Sequence, residues 1–118
     1  MLVAIKRVYE KPVKSDGNRI LVDGLWPRGF SGSELRIDRW MRELAPSAAL
    51  RKWYGHEPKK WDEFRRRYRR ELAASPRMEL VDELLKRACQ GRVTLVFSAR
   101  DVEHSNAAVL QEMVNAKL

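Results

Sequence analysis

The run Val93-Thr94-Leu95-Val96-Phe97 constrains the fold of this chain more than any other segment. Its five consecutive residues are apolar or β-branched, with no polar alternation, which marks a strand covered on both faces. Gly91 precedes the run and Ser98-Ala99-Arg100-Asp101 follows it, so both ends are bounded. A strand buried on both sides needs other elements packed above and below it. The expected class is therefore α/β: a single compact domain over residues 1–118, with a small mixed sheet and several packed helices.

Two further strands come earlier. Leu2 to Val8 is apolar and partly β-branched, and Arg19 to Asp23 is a second such run. Between them Pro12, Ser15, Asp16, Gly17 and Asn18 form a turn-rich connection. No crossover helix fits there, so the spacing predicts an antiparallel hairpin with a long loop.

From Ser33 the period becomes helical. Ile37, Trp40, Met41 and Leu44 fall at i, i+3, i+4 and i+7, which predicts a helix ended by Ala45-Pro46-Ser47. Ser47 then caps a short helix carrying Leu50, Trp53 and Tyr54, with Gly55 as its stop. Pro58 opens a longer helix with the stripe Trp61, Phe64, Tyr68 and Leu72. Ser75-Pro76 starts another, whose inner face is Leu80, Val81, Leu84, Leu85 and Ala88. Ser105 or Asn106 caps a last helix that buries Val109, Leu110, Met113 and Val114.

Composition narrows the function classes. With 118 residues the chain is long enough for one core. Cys89 is the single cysteine, which excludes an internal disulfide. The first residues lack the pattern of a signal peptide, and no apolar run approaches the roughly 20 residues of a membrane span. A cytoplasmic location without a membrane partner is expected. The net charge of +8 fits nucleic acid, an anionic metabolite, or simple solubility.

The residues with chemical potential cluster where strands end. Arg19, Asp23 and Arg28, with Trp26 between them, belong to the first end; Arg100, Asp101, His104 and Asn106 belong to the second. In open α/β sheets, ligands sit beyond the carboxyl ends of the strands. Guanidiniums there can hold a phosphate or carboxylate bidentately, beside carboxylates and an imidazole able to move protons. The plain structural alternative is that Asp23 pairs with Arg100 or Arg19 as a pin, and that Trp26 covers the sheet edge. His56 and His104 are the only histidines, and neither a cysteine pair nor a His-Glu-x-x-His motif is present, so no metal and no cofactor are expected. Ser98 stands at a strand end without a nucleophile elbow around it.

The stretch Lys59 to Arg70 holds seven basic and two acidic residues. It suits a phosphate backbone or, equally simply, a solvated helix face laced by Asp62–Arg66 and Glu63–Arg67 pairs. Arg65 lies beside the apolar stripe, from where its head could reach a pocket edge.

The pattern Arg-Ile-Leu-Val-Asp-x-Leu-Trp-Pro-Arg-Gly at 19–29 resembles the signature of the bacterial YeaO-like proteins, the domain-of-unknown-function-488 family. The similarity continues through Asp38-x-Trp40, Ala45-Pro46-Ser47, Leu50-Arg51-x-Trp53, His56, Pro58, Trp61, Phe64 and Tyr68. It ends with Val93-Thr94-Leu95, Ala99-Arg100-Asp101, His104-x-Asn106 and Ala107 to Leu110. The resemblance implies a compact bacterial α/β domain and assigns no activity to any residue. Two positions depart from the family pattern: Gly24, where arginine is common, and Ser98, where alanine is common.

The leading expectation is a small anionic ligand, nucleotide- or phosphate-like, at the strand ends. Arg19, Trp26, Arg28, Arg100 and Asn106 are the candidate binding residues. Asp23, Asp101 and His104 are the candidate acid/base groups if the protein is an enzyme. The alternatives are a nucleic-acid-binding or regulatory module using the basic helix, and an interaction domain without chemistry. None of these readings sets an oligomeric state.

Overall fold

A computed structural model describes residues 2–118. Its sheet has four strands: β1 (Ala4–Arg7), β2 (Asn18–Leu21), β3 (Arg39–Trp40) and β4 (Val93–Phe97). Their order is β1-β4-β2-β3, and every pairing is parallel. The expected hairpin of the first two strands, and with it a mixed sheet, gives way to this arrangement. β4 inserts between β1 and β2, with Ile5 and Ile20 both in register with Leu95. The most apolar strand thereby has both backbone edges paired and both faces covered, and all five of its residues are buried. The connection from β1 does not turn back but passes the amino end of β4, where the Asn18 N–H donates to the Arg92 carbonyl at 2.8 Å. Gly17 makes that passage possible. Its φ is 67°, and a Cβ there would lie 2.3 Å from the Arg92 oxygen.

Side chains alternate between two apolar layers. Ile20, Val22, Val93, Leu95 and Phe97 face the larger one, built with α2 (Ala48–Tyr54), α3 (Trp61–Leu72), α4 (Arg77–Gln90) and α5 (Asn106–Asn115). Leu21 and Val96 face the smaller one with Val8 and Leu35, the latter from the short α1 (Gly32–Leu35). Trp26, Phe30, Ile37 and Trp40 pack against this second layer.

The helix expected over Ile37 to Leu44 does not form. α1 ends at Leu35, β3 occupies Arg39–Trp40, and a 3-10 turn covers Arg42–Leu44. The apolar residues are nonetheless placed: Ile37 and Trp40 join the smaller layer, Met41 and Leu44 the larger. A helical spacing here served two opposite faces of a sheet edge.

The later helices follow their local signals. Ser47 caps α2 by accepting from the Leu50 N–H at 3.1 Å, and Gly55 ends it at φ 54°. A 3-10 turn at Pro58–Lys60 leads into α3, whose Phe64, Tyr68 and Leu72 are buried. The Tyr68 hydroxyl donates to the Leu44 carbonyl, tying α3 to the turn after β3. α4 begins one residue later than expected, at Arg77, and the Ser75 hydroxyl donates to Glu79 instead of capping. Ser105 caps α5 through the Ala108 N–H at 3.2 Å. Trp40, Trp53 and Trp61 are half-buried against the two layers. Among the described residues, no helix is long and apolar enough to cross a membrane.

Candidate functional site

Parallel strands put all their carboxyl ends on one side of the sheet, so the segments leaving β2 and β4 meet there. They enclose a cleft of about 660 Å³ with α2, Phe64 of α3, the Ala45-Pro46 corner and the start of α5. Its position beyond the carboxyl ends is the usual one for ligands in open α/β sheets.

Asp23 stands at the floor, half-buried. Its Oδ2 accepts from the Ser98 N–H at 2.8 Å and from the Ser98 hydroxyl at 2.7 Å. Its Oδ1 accepts from the Asn106 amide at 3.2 Å, and the same amide reaches the Val22 carbonyl at 3.2 Å. One carboxylate therefore ties the end of β2 to the end of β4 and to the first turn of α5. The expected ion pair of Asp23 with Arg19 or Arg100 is absent among the described residues; neutral donors make the pin instead. The β4–α5 segment is held from the other side by Arg7, which donates to the Ala99 and Ser98 carbonyls at 2.9 and 3.3 Å.

Asp101 and His104 form a second pair at the mouth. The His104 Nδ1 lies 2.8 Å from the Asp101 Oδ2, and the His104 ring meets Trp61 edge-on at 5.1 Å. The Tyr54 hydroxyl donates to the His104 carbonyl at 3.2 Å. Burial, helped by the Asp101 carboxylate, raises the Tyr54 phenol above its ordinary pKa, so it remains a neutral donor at physiological pH.

The cations have another character. Arg28 from the β2–α1 segment and Arg100 from the β4–α5 segment both line the cleft and are exposed. Arg51 of α2 joins them. No ion pair among the described residues includes any of the three. Pro27 is buried and Gly29 takes φ 84°, which fixes the turn that carries Arg28. Trp26 lines the wall, with its indole N–H on the Phe30 carbonyl at 2.8 Å and its ring edge-on to Trp40.

Asp23, Trp26, Arg28, Arg100, Asp101, His104 and Asn106 thus share one cleft. Arg19 does not. It lies near the amino end of β2, 3% exposed, with its guanidinium on Asp16 at 2.7 Å and on the Leu35 carbonyl at 3.0 Å. Four residue steps of extended chain, at about 3.3 Å each, separate it from Asp23. Asp16 also accepts from Lys6, at 3.1 Å. Burial works to raise the Asp16 pKa, but the Val13 N–H, Lys6 and Arg19 outweigh it and hold the carboxyl below its ordinary value.

Sequence reasoning missed Arg51, Tyr54 and His56 as cleft residues. His56 follows Gly55 and shares its left-handed conformation, with φ 57°, so the chain doubles back at the end of α2 and His56 lines the cleft. The available signal was the Leu50-Arg51-x-Trp53 and His56 pattern after a helix stop.

The basic helix is largely occupied with itself. Glu63 accepts from Arg66 and Arg67, Glu112 of α5 accepts from Arg65 and Arg69, and Arg67 and Lys60 lie over the Trp53 ring. Arg65 therefore bridges α3 to α5 and does not line the cleft. Among the described residues, no group of three or more His, Cys, Asp or Glu side chains is placed to hold a metal ion.

A family model described as the inactive DUF488-N3 subclade matches residues 2–118. The chain belongs to this DUF488 family. An uncharacterised protein of Mycobacterium tuberculosis is 41% identical over 115 residues, covering 98% of this chain and 95% of its own length. The uncharacterised protein YeaO of Escherichia coli is 37% identical over 118 residues, covering 98% of this chain and 99% of its own. No solved structure matches the chain. Gly24 and Ser98 both adjoin Asp23: Gly24 is its neighbour in the chain, and Ser98 supplies two of its hydrogen bonds.

Proposed function

We propose that this DUF488 protein binds a small anionic ligand, nucleotide- or phosphate-like, in the strand-end cleft and does so without turning it over. The observation that carries the reading is the convergence of Arg28, Arg51 and Arg100, from three separate elements, on one cleft, with none of the three in an ion pair among the described residues. The two carboxylates in the same lining are engaged elsewhere, Asp23 by Ser98 and Asn106 and Asp101 by His104, so an anion that reaches the three guanidiniums forms charge-assisted hydrogen bonds they do not otherwise make. Binding without turnover is favoured by the state of Asp23, whose carboxylate is engaged by three donors and serves as a joint between strand ends. Ser98 spends its hydroxyl proton on that carboxylate and has no histidine within the same network. Asp101 and His104 then act as ligand-contacting groups at the mouth. The matched family's description as inactive agrees with this reading.

The nucleic-acid alternative loses support because Arg65, Arg66, Arg67 and Arg69 already have carboxylate partners. A thermal-shift screen of nucleotides, phosphate esters and polycarboxylates tests the proposal. A true ligand at about 100 times its Kd stabilises the fold by about 2.7 kcal/mol. The stabilisation should vanish in Arg28→Gln and Arg100→Gln. A screen in which nothing shifts the midpoint, or in which those variants respond as the wild type does, overturns the reading.

A further inference from the structure

We infer that the cleft takes a planar heterocycle bearing two or more anionic groups, of the nucleoside diphosphate class, with the ring inward and the anionic tail at the mouth. This deepens the anion-binding reading above and rests on it. The argument comes from how the lining is layered by depth. The buried part of the wall is apolar and aromatic: Tyr54 is 5% exposed, Phe64 is 2% exposed, and Pro27 and Pro46 are buried. Tyr54 and Phe64 stack with centroids 4.3 Å apart, and Trp26 also lines the cleft. The exposed part of the lining carries Arg28, Arg51 and Arg100. An inorganic anion would satisfy the rim and leave the aromatic wall unused. A neutral ring would fill the wall and leave three cations unanswered.

Size and polarity agree. A cleft of about 660 Å³ lies within the roughly 300–1,000 Å³ range of small-molecule pockets and greatly exceeds a single phosphate. Asp23 and Asn106 are half-buried in the lining; both amide N–H groups of Asn106 are spent on Asp23 and Val22, which leaves carboxylate and amide oxygens as acceptors for N–H groups at the edge of a heterocycle. One guanidinium answers one anionic group in a bidentate fork, so three of them on separate elements match a tail with more than one charged group. His56 adds to the rim, held there in a left-handed conformation uncommon for a residue with a side chain.

Equilibrium binding of the full chain to ADP, GDP, CDP and UDP, to pyrophosphate, and to adenosine separates the parts of this inference. At least one of the four diphosphates should bind about ten-fold or more tighter than pyrophosphate, because aromatic contact adds to the charge contact. ADP should exceed adenosine by a similar factor of about ten. Arg51→Gln, a change on the exposed face of α2, should weaken the diphosphate about five-fold or more while the melting midpoint and adenosine binding stay unchanged. Pyrophosphate binding as tightly as every diphosphate overturns the ring, yet leaves the anion reading standing. Adenosine matching ADP overturns the polyanionic tail. If none of the six compounds binds at millimolar concentration, the inference is wrong, whereas the broader reading stands or falls on the wider screen.

Discussion

The two ends of the sheet use arginine in opposite ways. Near the amino ends of β2 and β4, Arg19 is buried, with Asp16, the Leu35 carbonyl and Lys6 around one charge knot. At the carboxyl ends, Arg28, Arg51 and Arg100 are exposed around a cleft and form no ion pair among the described residues. Arg19 and Arg28 are only nine positions apart in one continuous motif, so residue type and motif membership do not separate their roles. Burial and pairing do. A paired, desolvated guanidinium holds a fold together, while an unpaired, hydrated one remains available to a ligand.

The largest test of this contrast is Arg19→Ala. It leaves Asp16 buried with a weakened partner set, and breaking such a pair costs about 3–5 kcal/mol. Urea unfolding should show that loss, while ligand affinity of the folded fraction stays at the wild-type value. Affinity that falls in step with stability would join the two ends into one functional unit. Asp23→Ala should come next, at about 2 kcal/mol, because the Ser98 N–H loses its acceptor and the strand ends lose their joint. Asp101→Ala, at the exposed mouth, should stay within about 0.5 kcal/mol in the same assay.

Acid should weaken the amino end through a smaller, graded effect. Asp16 has a folded pKa below its ordinary value of 3.8. Its contribution is therefore fully present above that value and is lost as the pH falls through the lower folded pKa. In Asp16→Asn that part of the acid loss should disappear from the unfolding free energy measured between pH 5 and pH 2, on the order of the window expected for a paired carboxyl. An unchanged slope would remove Asp16 as the acid-sensitive group.

Arg28→Gln and Arg100→Gln sharpen the other side of the comparison. Each should alter stability by no more than about 0.5 kcal/mol and still abolish stabilisation by ligand. The smallest effect is expected for Arg66→Gln with Arg70→Gln. Arg66 makes an exposed pair of the kind that contributes about 0–1 kcal/mol, and neither residue lines the cleft. Tight duplex binding by the wild type, lost with a flattened salt dependence in this double variant, would move function to α3.

Much of the fold was legible along the chain because its signals are local. The unbroken apolar run of β4, the Ser47 and Ser105 caps, the Gly55 stop and the stripe of α3 each depend on neighbours within a few residues. The region from Ser33 to Leu44 was not legible. Ile37, Trp40, Met41 and Leu44 have helical spacing, but the sheet edge draws them to opposite faces. Of the candidate site, the two strand-end clusters were visible, while Arg51 on α2 and His56 just after its Gly55 stop stood out only as part of the family pattern, which does not tell a cleft residue from a surface one. Arg19 misled for the complementary reason: motif continuity says nothing about which end of a strand a side chain serves.

The sequence by itself determined the α/β class, the doubly covered strand, the later helices with their caps, and the strand-end motif that places the chain in the DUF488 family. Only the tertiary structure decided the order β1-β4-β2-β3 with every pairing parallel. The physical reason is that side-chain periodicity reports whether a face is buried, not which distant strand completes its hydrogen bonds. That pairing in turn set the site. By inserting β4 beside β2, it brought Ser98 onto Asp23, opened the cleft beyond both strands, and left Arg19 at the far end to be neutralised by Asp16.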